Sequence, residues 1–330
     1  MREYGAAVAV VVTIAASGSG AMVSPAVAAS SVFDFQVDPP NAPDVYKDVP
    51  GTEVVFDAAA GEKSYLWSRR LSAVPVTELK AGENIGVTFA VRCQYANGQS
   101  LPQGTESGAY WAANLVPPGE SALNPGLRWL FQAPTSGTYR CRLSVVGYSS
   151  VVNPGRQVTM RVPAGAELGI LPMAVATRWT LPDASATTVA RGTTATTLGY
   201  TYVPAAGGRT TIVQDANLTT CVAGSRICGG GTDAYSGTTA ETWIEAQPQQ
   251  PDGTPCGGPV KGPVAKWKIS DAKHHQSATN TLNLTSDQLG GCTRIRATLK
   301  VRNVDGNPVR IHAGHASEGI AATHGLAYTL

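Results

Sequence analysis

Several residues in this chain have types and spacings suited to binding or catalysis. Arg294, Arg296, Lys300 and Arg302 share one parity with Thr298, while Ile295, Ala297, Leu299 and Val301 share the other. On a strand, alternate side chains leave opposite faces, so four cations would line one side. Such a stripe, with Arg310 on the partner strand nearby, suits an anionic polymer such as a wall polysaccharide or a polyphosphate-like chain. A solvated face that discourages edge pairing is the plainer reading. Trp67, beside Arg69 and Arg70, and the pair Tyr110 and Trp111, near Gly/Pro-rich segments, are candidates for stacking on sugars. For each ring, buried packing is the alternative. Trp129 shares parity with apolar neighbours and reads as core. Carboxylates such as Asp215, Glu241 or Glu245 would serve a polysaccharide hydrolase, which needs two of them in one cleft.

Other chemistry finds little support. There is no nucleophile elbow, no H-E-x-x-H, no phosphate-binding loop and no dinucleotide glycine fingerprint. His274, His275, His312, His315 and His324 all fall late in the chain. His274 and His275 would leave opposite faces of a strand, and His312 and His315 also differ in parity unless a turn at Gly314 intervenes. No metal centre, cofactor or catalytic residue is therefore expected. With 25 Lys plus Arg against 23 Asp plus Glu, the net charge of +2 demands neither nucleic acid nor a membrane surface.

The elements that carry these residues read as strands. Val87, Phe89, Val91 and Cys93 alternate with Thr88, Ala90 and Arg92, and Tyr139, Cys141, Leu143 and Val145 alternate with Arg140, Arg142 and Ser144. Gly and Pro number 36 and 22, well above average, as many short strands joined by turns require. Asp305-Gly306-Asn307, between the run 293–304 and residues 308–312, predicts a hairpin turned by an Asp-Gly pair. It also explains Asn303, Asp305 and Asn307 without a calcium ion.

The opening residues are of another kind. The apolar run 6–16 follows Arg2, falls well short of the roughly 20 residues a membrane span needs, and precedes Ala26-Val27-Ala28, a site a signal peptidase accepts. Residues 1–29 are thus expected to be a cleaved signal peptide and the product to be secreted. The six cysteines, Cys93, Cys141, Cys221, Cys228, Cys256 and Cys292, then read as disulfides, since no C-x2-C pair or compact Cys/His cluster offers four zinc ligands. The expected fold is all-β: two consecutive antiparallel β-sandwich-like domains, at 30–165 and 166–330, with Pro163-Ala164-Gly165 as the break. In the second, Cys221 with Cys228 and Cys256 with Cys292 is the favoured pairing. Cys221 with Cys292 and Cys228 with Cys256 is the rival.

Gly137-Thr138-Tyr139-Arg140-Cys141 resembles the tyrosine corner of immunoglobulin-like domains, over about residues 85–146. The resemblance implies that Cys93 and Cys141 bridge two sheets and that the Tyr139 hydroxyl turns back to the chain just upstream. Arg92 would then emerge on the opposite side of the sandwich from Arg140 and Arg142. A secreted, non-catalytic protein that binds an extracellular polysaccharide or anionic polymer, or serves a structural role, is the expected function. A secreted polysaccharide hydrolase using a carboxylate pair is the alternative.

Overall fold

A computed structural model describes residues 31–39, 45–117, 119–151, 156–182, 187–225, 228, 231–232, 234–315 and 319–329. The expected leader at 1–29 lies outside them. The described chain is nearly all β, in antiparallel sheets, with one short helix at Ser286–Leu289 capped by Thr285.

In the first domain the long strands Asn84–Tyr95 and Gly137–Val151 pair antiparallel, flanked by Gly108–Leu115 on one side and Val54–Ala58 on the other. The alternation in the sequence does what its period dictates. Val87, Phe89, Val91, Leu143 and Val145 point inward and are fully buried against Leu66, Trp129, Phe131, Met160 and Leu168. Those partners come from two smaller facing sheets. One joins Lys63–Arg69 to Arg128–Gln132 and Glu167–Pro172, and the other joins Thr159–Val162 to Phe33–Gln36 and Val74–Pro75.

Glu167–Pro172 moves the division between the cores. The strand pairs with Lys63–Arg69, and Leu168 is buried in the first core, so the break expected at Pro163 to Gly165 is only a turn, with Gly165 at φ +95°. The chain also returns late: Ile320–Ala321 pairs in parallel with Gly108 and Ala109.

The second domain opposes two sheets. One centres on Thr210–Thr220, paired with His275–Leu284, His324–Thr329 and Val309–Ile311. The other sets Arg294–Gly306 between Thr194–Tyr202 and Gly237–Gln249, with Val260–Lys261 and Ala265–Ser270 on the outer edge.

Two sequence expectations fail here for the same reason. The hairpin predicted at Asp305-Gly306 does not form: Arg294–Gly306 and Val309–Ile311 lie in different sheets, and the chain crosses the sandwich between them. Buried asparagines hold the crossing, with Asn303 donating through Nδ2 to the Val189 and Asn307 carbonyls and Asn307 to the Tyr235 carbonyl. Gly306 still matters, because its φ is +98° and an added Cβ would stand 2.1 Å from the Gly237 carbonyl oxygen. Gly306→Ala is therefore expected to destabilise by more than about 1 kcal/mol in chemical denaturation, and an unchanged midpoint would refute this account of the crossing.

The second failure concerns Cys93 and Cys141. They are bonded, but they stand opposite each other on neighbouring strands of one sheet, Cα to Cα 4.1 Å, and do not bridge two sheets. The separation suits directly opposed residues of an antiparallel pair. The other half of the resemblance holds, since the Tyr139 hydroxyl donates to the Thr135 carbonyl four residues upstream. Cys221–Cys228 and Cys256–Cys292 complete the three disulfides, in the favoured pairing.

Candidate functional site

The open face of the sheet built on Arg294–Gly306 gathers a concentration of cations. Arg294, Arg296, Lys300 and Arg302 point outward as their parity requires, while Ile295, Ala297, Leu299 and Val301 are fully buried beneath. The register adds three cations that spacing along one strand cannot show. Lys266 stands opposite Glu241, Lys261 opposite Glu245 and Lys268 opposite Thr239, across the strand that lies beside the stripe. Seven cations thus face three carboxylates on this surface, Glu241, Glu245 and Asp305 opposite Thr239, a balance of +4 where the whole chain carries +2.

Neutralisation is partial. Glu241 lies 3.4 Å from Lys266 and 4.0 Å from Arg302, and Glu245 lies 3.4 Å from Lys300. The Trp243 N–H bonds Glu245 at 2.9 Å and, with Lys300 and Lys261 nearby, holds that carboxyl below the usual carboxylate range. Lys261 sits 4.5 Å above the Trp243 ring, which is buried on this face. Among the described residues, Lys261, Lys268, Arg294 and Arg296 have no carboxylate within 4 Å.

A second cluster of polar residues fills the seam between the domains. Asp215 accepts from Thr279 and lies 3.7 Å from Arg128 and 3.5 Å from His324. His324 is buried and its Nε2 is 3.0 Å from the Arg128 carbonyl oxygen, so Nε2 carries the proton. Burial holds the His324 imidazole below its usual range, against an opposing pull from Asp215. The gap these residues share with Tyr110 and Trp111 measures only about 10 Å³, too small for a substrate.

Further along the seam, the Thr219 hydroxyl bonds both His275 Nδ1 at 2.8 Å and His312 Nε2 at 2.7 Å. The His274 and His275 rings lie 4.3 Å apart, not on opposite faces, because His274 precedes the strand that begins at His275. No group of three His, Cys, Asp or Glu side chains among the described residues is arranged to hold a metal ion.

No family model matches the chain, and no curated protein matches it. Among solved structures, the chain is similar to a protein of the infectious bursal disease virus T13 particle at 10% identity and a TM-score of 0.28, covering 94% of this chain and 73% of that one. It is similar to the stem and receptor-binding domain of spike protein P1 from bacteriophage PM2 at 8% identity and a TM-score of 0.24, covering 91% and 97%. It is also similar to BuGH86, crystallised with neoagarooctaose, at 8% identity and a TM-score of 0.22, covering 91% of this chain and 34% of that one. These values fall below any that bear on function.

The structure brings four of the eight singled-out side chains together: Arg294, Arg296, Lys300 and Arg302. Arg310 belongs to the opposite sheet, beside Thr188 and Thr219, since the chain crosses over at Gly306. Tyr110 and Trp111 line the seam, and Trp111 packs on the first core. Trp67 lies over Gly169, stacks on Tyr65 at 5.3 Å and carries Arg69 at 5.0 Å, so much of its ring is already covered. Asp215 lies in a different sheet from Glu241 and Glu245, and those two are four positions apart on one strand, so the carboxylates share no cleft. Lys266 and Lys268 could have been found from their alternation with Ala265, Trp267 and Ile269. Their place beside the arginine stripe could not.

Proposed function

We propose that this is an exported, non-catalytic protein that binds an anionic polymer, such as an acidic polysaccharide, along the cationic face of its second domain. The three disulfides point to an oxidising compartment, and no helix among the described residues is long and apolar enough to cross a membrane. The observation that carries the reading is the +4 balance on one sheet face, with four of its seven cations lacking a carboxylate partner among the described residues. From Arg294 to Arg302 the stripe runs about 27 Å, several times the roughly 8 Å over which salt screens charge, so it acts on a chain more effectively than on a single ion. A polymer of matching sign replaces many small counterions at once.

Retention on immobilised polygalacturonate and on neutral cellulose, across a salt series, tests this. The protein is expected to stay on the acidic resin at low salt, elute as salt rises and pass through cellulose. Arg296→Glu with Arg302→Glu is expected to weaken binding on the order of tenfold or more without loss of fold, because both side chains are exposed. Equal retention of the native protein and the double variant would end the proposal.

A further inference from the structure

The first domain holds a second concentration of positive charge, made by the same register that places Cys93 against Cys141. Arg92 stands directly opposite Arg142, and Gln94 opposite Arg140, on the outward face of that sheet. The three arginines therefore lie on one side, whereas a bridge between sheets would have divided them. Like charges directly opposed across an antiparallel pair repel, so this arrangement needs compensation. Arg140 finds Glu53 at 3.2 Å, and Arg142 finds Asp48 at 3.0 Å and the Gln94 side-chain oxygen at 3.0 Å. Arg92 has no carboxylate within 4 Å among the described residues, and its guanidinium lies 5.3 Å from the centre of the Tyr46 ring.

Arg92 and Arg142 also line one cavity of about 240 Å³, whose remaining wall includes Gln94, Ser100, Gln103 and Thr105. The wall is rich in neutral hydrogen-bonding groups and holds no acidic side chain among the described residues. The disulfide beside it ties the two strands together next to the arginines, which fixes the spacing of the guanidinium groups before any ligand arrives. A planar fork of N–H donors on a rigid base is the geometry that receives carboxylate, sulfate or phosphate oxygens in paired hydrogen bonds.

We propose that this cavity binds an oxyanion group, with Arg92 as its charged anchor and Arg142 as a second donor. The site is separate from the cationic face of the second domain and does not rest on that reading. The ligand is either a free inorganic anion or the carboxylate of an acidic sugar, and the chemistry of recognition is the same for both.

Calorimetric titration of the full chain with inorganic phosphate, with glucuronate and with glucose tests the site and separates the two sources. Saturable binding of phosphate or of glucuronate, with none for glucose, is expected. Arg92→Gln should weaken it about tenfold or more, Arg92→Lys should retain part of it, and the Arg296→Glu variant should bind as the native protein does. Removing one of two opposed like charges should leave the anion-free melting temperature of Arg92→Gln unchanged or raised, which also verifies its fold. If Arg92→Gln does not fold, the comparison is made with Arg92→Lys, for which undiminished affinity overturns the proposal. Absence of saturable binding for both anions, equal binding of glucose, or unweakened binding by folded Arg92→Gln also overturns it.

Discussion

Replacing Trp129 by alanine is expected to cost about 3–5 kcal/mol of stability and to loosen the contact between the domains. The ring is fully buried in the first core among Leu66, Phe131 and Leu168. It also reaches the seam: the Arg178 guanidinium lies 4.2 Å from its centre and His324 meets it edge-on at 5.5 Å. Alanine would leave both a cavity and a buried guanidinium without its aromatic surface. Phenylalanine is expected to cost much less, because the indole Nε1 is buried with no acceptor and its removal relieves a desolvation penalty of about 1–3 kcal/mol. Denaturant titration of both variants checks this, and a loss below about 1 kcal/mol for alanine would contradict the packing described.

Acidification should weaken the same seam. Burial holds His275 well below its usual range, and repulsion from His274 and His312 adds to the effect. Burial likewise lowers His274, against a backbone hydrogen bond to Asp271, and lowers His324. Around His275 stand His274, His312, Thr219 and Tyr148; around His324 stand Asp215, Arg128, Arg178 and Trp129. Protonating His324 would place a second N–H on Nδ1, which has no partner. For each of these histidines the unfolded chain binds the proton more readily than the folded one. The stability they confer is therefore fully present above the unfolded value of about 6.5 and is lost as pH falls below it, at about 1.4 kcal/mol for each unit of depression. Denaturation midpoints between about pH 8 and pH 5 should fall toward acid, and His275→Gln should flatten that fall. A flat profile for the native protein would remove the seam histidines from this role.

Which side chains turn inward was legible before any fold was known, because a strand has a period of two and apolar residues leave water. Val87, Phe89, Leu143, Ile295 and Leu299 are buried as their parity required, and the cations between Arg294 and Arg302 face outward. The Cys221–Cys228 bridge was favoured by its tight loop, and the turn of the Tyr139 hydroxyl back to Thr135 was implied by the resemblance to the tyrosine corner. Parity says nothing about which strand lies alongside, and most corrections came from there, the His274 and His275 rings excepted, where the strand begins one residue later than their parity assumed. Arg92 beside Arg142, Lys266 and Lys268 beside the arginine stripe, Arg310 across the sandwich and Tyr110 at the seam are all placed by pairings between residues far apart in the chain. Local periodicity fixes the direction of a side chain, whereas its neighbours depend on non-local hydrogen bonding and on packing between sheets.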